Sequence, residues 1–126
     1  MNERRPLALC VDDDPDVLTY LQVLLEAEGF TFASADCAED GLIAFRKLRP
    51  DVLIIDMMME EVDAGTGLVR DLRAEGNEAP VFMLSSVGDN LSYTLDANAL
   101  GLAGVFQKPL RKEQLLSVLR AKVGRS

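Results

Sequence analysis

The chain has no histidine, and its two cysteines, Cys10 and Cys37, are twenty-seven residues apart rather than in a C-x-x-C pair. The first absence removes the commonest ligand of zinc and copper sites. The second removes the usual redox and zinc-knuckle arrangements, so both thiols read as reduced, Cys10 buried in a strand, in a cytoplasmic chain. Long apolar runs are missing too. The first, Leu7 to Val11, is too short for a signal-peptide core and stops at three aspartates, and nothing approaches a membrane span. Positive charge is scarce: 13 Lys and Arg against 21 Asp and Glu give a net charge of -8. Arg46, Lys47, Arg49, Arg111 and Lys112 are scattered, which argues against a nucleic-acid footprint and for a solvated face. Internal repeats, linkers and low-complexity tracts are absent as well.

What is present is an ordinary globular composition, 48% hydrophobic and 27% charged. A length of 126 residues suits one domain, 1–126, able to bury about two thirds of its unfolded surface without disulfide or metal. Leu7 to Val11, Val52 to Ile55 and Val81 to Leu84 are continuous apolar runs, as expected of strands covered on both faces of a parallel sheet. Phe30 to Ala33 and Gly104 to Phe106 are weaker strand candidates. Between them, Val17, Leu18, Leu21, Leu24 and Leu25 recur at helical spacing, with Asp14 and Pro15 as cap and first-turn residue and Gly29 as the stop. Leu42, Phe45 and Leu48 mark a second helix ended by Pro50, and Leu68, Val69 and Leu72 a third before Gly76. A fourth, from about Asp89 to Leu100, is rich in Ser, Asn and Thr and is expected to be the least stable. Leu115, Leu116, Leu119 and Val123 mark the last. Five strands alternating with five helices predict a doubly wound, flavodoxin-like α/β fold with strand order 2-1-3-4-5.

Polar groups stand where those strands end: Asp12, Asp13 and Asp14 after the first, Asp56 after the third, Ser85 after the fourth and Lys108 beyond the fifth. In an open parallel sheet, ligands bind in the crevice outside the carboxyl ends of the strands. Crowded carboxylates repel and call for a cation; all-oxygen donors without histidine favour Mg²⁺. A cation with Lys108 and Ser85 would clamp a transferring phosphoryl group, with an aspartate as nucleophile. Singly, each residue has an ordinary reading. Asp14 caps a helix, an aspartate ending an apolar strand is a loop residue, Ser85 caps the next helix, Lys108-Pro109 is a turn, and Met57, Met58 and Met59 fill loop and core. Their joint placement at four strand ends is what points to chemistry.

Val11-Asp12-Asp13-Asp14-Pro15, Leu53-Ile54-Ile55-Asp56-Met57, Pro80-Val81-Phe82-Met83-Leu84-Ser85-Ser86 and Phe106-Gln107-Lys108-Pro109-Leu110 together resemble the receiver domain of two-component response regulators, across essentially the whole chain. The resemblance implies that Asp56 takes a phosphoryl group from a phosphohistidine on a kinase or phosphotransfer protein. It implies that Asp13, Asp56 and the backbone carbonyl of Met58 hold Mg²⁺, with Asp12 acting through a metal-bound water. Ser85 and Lys108 would bind phosphoryl oxygens, and the bond before Pro109 would be cis. Such a domain is not an enzyme in the turnover sense; it catalyses only its own phosphorylation and dephosphorylation. It stands alone, relays, or forms the amino-terminal part of a longer protein; homodimers are a family habit. Kinase, signal and output are not written in these residues.

Two departures from the family pattern stand out. Met59 is followed by Glu60-Glu61-Val62-Asp63-Ala64-Gly65-Thr66-Gly67, a longer loop without proline that adds acids beside the site. Val105 occupies the position, three before the lysine, where receivers generally carry an aromatic switch residue. Phe106 cannot substitute, because adjacent strand residues point to opposite faces, so Phe106 is expected in the core. Either a small conformational response, or one routed through Ser85 and the polar fourth helix, is the expectation. Met58 and Val87, at the positions that tune phosphoryl lifetime in this family, offer no general base, which implies slow to moderate self-dephosphorylation. A phosphohydrolase or mutase would need a cap domain for which there is no room, and a flavin carrier would need a Gly/Thr-rich phosphate loop after the first strand. The other reading is a phosphorylation-independent pseudo-receiver, an interaction module. Neutralising Glu60 and Glu61 together is expected to change Mg²⁺ affinity or phosphorylation rate, measured by metal titration and by adduct formation with time; no change in either refutes a tuning role.

Overall fold

Three runs of consecutive apolar residues form the middle of the sheet, as their lack of alternation requires. In the computed structural model, which describes residues 5–57, 59, 64–86 and 101–123, these are β1 (Leu7–Val11), β3 (Val52–Asp56) and β4 (Val81–Ser85). The edges are β2 (Thr31–Ala35) and β5 (Gly104–Gln107). All pairings are parallel and the order is β2-β1-β3-β4-β5, as the sequence predicts. Helices α1 (Pro15–Ala27), α2 (Ala38–Leu48), α3 (Ala64–Ala74) and α4 (Lys112–Val123) complete the described elements. The expected polar helix over 89–100 lies outside the described residues.

Side-chain alternation divides the core into two layers. Even-numbered strand residues Ala8, Cys10, Val52, Ile54, Phe82, Leu84 and Phe106 pack with Leu21, Leu24 and Leu25 of α1 and with Leu115 and Leu119 of α4. Odd-numbered Leu9, Val11, Leu53, Ile55, Val81 and Met83 pack with Phe45 of α2 and with Leu68, Val69 and Leu72 of α3. Phe106 thus lies in the core as its register demands, its ring centroid 5.3 Å from that of Phe82. Each such large apolar side chain contributes about 1.5–3 kcal/mol relative to exposure. Gly104, opposite Phe82 in register, leaves room for that ring, since a Cβ there would lie 3.2 Å from it.

The bounds of β2 differ from the expected Phe30 to Ala33. β2 starts at Thr31, not Phe30, because the N–H of Phe30 bonds to Leu25 O and that of Gly29 to Glu26 O, the double closure of a Schellman cap with Gly29 at φ 95°. Phe30 is buried there as part of the cap. Leu48 lies in α2 as its spacing predicts, and it is exposed. It is the last helical residue, followed by Arg49 in the left-handed region at φ 51°.

Gly41 is where α2 presses closest on the sheet: a Cβ would meet Val11 Cγ2 at 3.0 Å and Leu68 Cδ2 at 3.2 Å. At Gly67 in α3 a Cβ would meet nothing within 4 Å. In urea denaturation, Gly41→Val is expected to lose about 1–3 kcal/mol from overpacking, whereas Gly67→Ala gains about 0.5–1 kcal/mol from helix propensity.

Candidate functional site

The backbone ladder runs one step past each of three strands. Asp12 N–H bonds to Ala35 O at 3.1 Å, Met57 N–H to Leu84 O at 2.9 Å and Lys108 N–H to Ser85 O at 2.7 Å. Strand alternation is therefore still in force at Asp12, Asp56 and Lys108, all even-numbered. Register does the rest: Val11 pairs with Ile55, so the next step sets Asp12 beside Asp56. Strands about 4.8 Å apart leave β5 roughly 10 Å from β3, a gap that calls for a long side chain such as lysine.

Lys108 spans it, with Nζ 3.2 Å from Asp12 Oδ2 and 3.3 Å from Asp56 Oδ1. Both acids are buried, Asp12 at 0% exposure and Asp56 at 5%. Asp12 Oδ1 accepts the Asp14 N–H at 2.9 Å, while Oδ2 has no aligned hydrogen bond despite its burial. Asp14 itself caps α1, accepting from Asp16 N–H, with Pro15 in the first turn. Exposed Asp13 brings a carboxylate oxygen within 4.8 Å of those of Asp12 and Asp56.

Charge at this point is out of balance. Burial holds the Asp12 carboxyl above the usual range, although the Asp14 N–H and Lys108 pull the other way. Burial and then the Asp12 charge push Asp56 up to about 6. Burial works against the Lys108 ammonium, yet Asp12 and Asp56 outweigh it and its pKa is raised. One ammonium does not offset the buried acids.

Those features fit a hard divalent cation. Three oxygen donors converge, one buried carboxylate oxygen lacks a hydrogen bond, and negative charge is in excess. Asp12, Asp13 and Asp56 are the residues that would hold Mg²⁺; the Met58 carbonyl expected beside them lies outside the described residues. Ser85 ends β4 on the same rim, half-buried, but its side chain does not enter the carboxylate–ammonium contacts. The Lys108-Pro109 bond is cis, as the resemblance implies.

Two neighbouring features escape the sequence reading. Asp36, Cys37 and Asp40 form a second acidic group, and Asp36 and Asp40 line a cleft of about 480 Å³ that Asp13 also borders. Asp36 follows β2, so the strand-end rule reaches it once that weak strand is placed. On the other side, Val17, Tyr20, Lys108, Pro109 and Leu110 line an apolar groove of about 400 Å³, where the Tyr20 hydroxyl donates to Leu110 O. Tyr20 is an exposed position on α1 that no motif marks.

Residues 8–120 match the family model described as the response regulator receiver domain. The chain belongs to that family. The receiver is 32% identical, over all 126 of its residues, to the DNA-binding response regulator MtrA of Mycolicibacterium smegmatis, of which it covers 54%. It is 28% identical over 126 residues to the probable transcriptional regulator ycf27 of Porphyra purpurea, covering 51% of that protein. The chain thus spans about half the length of the curated relatives it matches. Among solved structures, the receiver resembles the chemotaxis response regulator CheY4 of Vibrio cholerae, with TM-score 0.82, 26% identity and coverage of 94% and 98%. A response regulator receiver domain protein from Clostridium thermocellum gives TM-score 0.86, 25% identity and 95% coverage of both chains.

The raised Asp56 pKa has a consequence for the metal-free receiver. An acid whose folded value, about 6, exceeds its unfolded value near 3.8 favours folding in its protonated form. That contribution is present below the unfolded value and is lost as pH rises through the folded one. With metal chelated, Asp56→Asn is therefore expected to raise unfolding free energy at pH 7.5 by roughly 1–3 kcal/mol, and by much less at pH 4. Urea titrations at the two pH values check it.

Proposed function

We propose that this receiver accepts a phosphoryl group on Asp56 from a phosphohistidine of a histidine kinase or phosphotransfer protein, with Mg²⁺. The observation that carries the reading is the Asp56 carboxylate at the end of the central strand, buried beside Asp12 and 3.3 Å from the Lys108 ammonium. In the step, an Asp56 carboxylate oxygen forms a bond to phosphorus as the phosphorus–nitrogen bond of the donor breaks, and the electron pair leaves on the imidazole. Mg²⁺ held by Asp12, Asp13 and Asp56 would neutralise charge on the transferring group. Lys108 supplies a positive charge from the β5 side, and Ser85, at the end of the neighbouring strand, would donate its hydroxyl to a phosphoryl oxygen. Burial of Asp12 and Asp56 limits water around the reacting carboxylate.

The chain acts on itself rather than turning over a substrate, and its output is a changed affinity for a partner protein. The relatives described as DNA-binding are about twice as long. With a net charge of -8 this receiver is not the nucleic-acid contact; such an output would belong to a further domain. No helix among the described residues is long and apolar enough to cross a membrane, which accords with a cytoplasmic location. Intact mass after incubation with acetyl phosphate and Mg²⁺ is expected to rise by one phosphoryl group, and not to rise in Asp56→Asn or with chelator. The absence of any adduct, with a histidine-kinase donor failing too, would favour the phosphorylation-independent interaction module.

A further inference from the structure

The two edges of the sheet are finished differently. β5 is short and runs straight into Lys108 and Pro109, a charge and a missing N–H that discourage a further strand. β2, Thr31–Ala35, has neither charge nor proline. Its Thr31 N–H bonds to Pro6 O and its Ala35 O accepts from Asp12 N–H, so the odd-numbered residues turn their backbone groups toward β1. The N–H and C=O of Phe32 and Ser34 therefore face outward, and no strand among the described residues pairs with them.

Helix α2 borders that edge. Asp40 lines one cleft with Ser34 and Ala35, whereas Arg46 bonds to Glu75 just past α3, so the side of α2 toward β2 is the Asp40 side. Asp40, Ile43, Ala44 and Lys47 share it, at i, i+3, i+4 and i+7. Asp40, Ile43 and Lys47 are exposed, Ile43 at 45%, and Ala44 is half-buried. Neither Asp40 nor Lys47 has an ion-pair partner among the described residues. From one end to the other the stripe reads acid, apolar, base.

We propose that this β2–α2 edge is the docking surface for a second copy of the chain, joined antiparallel about a two-fold axis at Ala33. Phe32 then lies opposite Ser34 of the second copy and exchanges both backbone bonds with it. Ala33 meets its own counterpart at the closer, non-bonded spacing, which a small side chain suits. The same axis sets the two α2 helices side by side in opposite directions, so that Asp40 meets Lys47 of the second copy and Ile43 packs on Ala44. A strand of another protein could use the backbone groups, but a stripe that complements its own reverse selects this chain. The surface is narrow and each copy carries a net charge of -8, so the dimer is a weak one.

Sedimentation equilibrium of the whole chain is expected to show a reversible rise from 13.8 kDa toward twice that mass, with a dissociation constant on the order of 0.1 mM. Lys47→Asp, which sets acid against acid, is expected to weaken association about tenfold, and adding Asp40→Lys, which returns the net charge to its native value, to restore it to within about threefold. Ser34→Pro removes an N–H that the β1 ladder does not use and is expected to abolish association. Because these variants can fail to fold, a second readout uses the native chain: hydrogen exchange of the Phe32 and Ser34 amides is expected to slow as concentration rises, while amides on the β5 edge do not change. A chain that stays monomeric at millimolar concentration overturns the proposal and leaves the edge to a strand of another protein. A dimer indifferent to Ser34→Pro and to charge reversal, or one whose Phe32 and Ser34 amides exchange independently of concentration, overturns this surface.

Discussion

Two carboxylates closed off from water and served by one ammonium make a demand that the rest of the fold exists to meet. Isolated, either charge would be neutralised by a proton rather than remain ionised in a buried site. The sheet keeps them in place because Asp12 and Asp56 sit on adjacent strands whose hydrogen-bonded ladder extends past the last apolar residue. The helices keep water out from below, with α1 and α4 packed against the same even-numbered face that the two acids continue. Lys108 is the one long side chain reaching back from the edge strand to both. Stability and chemistry are in tension here. The charge excess that costs the receiver stability is also what would attract a cation.

Much of this was readable from residues alone, for definite reasons. Unbroken apolar runs such as Val52 to Ile55 can be satisfied only between two helical layers, so the central strands and their order followed. Strand-end geometry then placed Asp12, Asp56 and Lys108 together, and the structure brings them within 3.3 Å contacts. Phe30 was less readable, because its burial looks the same whether it opens a strand or closes a helix cap; only the hydrogen bond to Leu25 O distinguishes the two. Leu48 marked the end of α2 correctly by its spacing, although its side chain is exposed. Tyr20 and Asp36 carry no local motif, and their place beside the site comes from chain segments far apart in sequence.

The edge strand carries the main departure from the family pattern. Phe106 belongs to the layer of Phe82 and Leu84, and Val105, paired with Met83, faces the other way and is half-buried. No aromatic ring on β5 is available on the Val105 face. A rotation of Phe106 into that role would break its stacking on Phe82 and open the α1–α4 layer, which close packing resists. A signal leaving this site through β5 has a small branched side chain to move, or it leaves by another route.

The alternation that gathers Asp12, Asp56 and Lys108 also governs where this chain tolerates a change of length. Deleting one residue inside β3 ahead of Asp56 would turn that carboxylate to the opposite layer, among Phe45 and Leu68, and no side-chain adjustment could bring it back. A residue gained after Asp56 changes nothing upstream, because the carboxylate is already aimed before the chain enters that stretch. The acidic sequence between Met59 and Gly67 lies on the permissive side of that boundary. A change of length or charge there leaves the alignment of the three strand ends untouched.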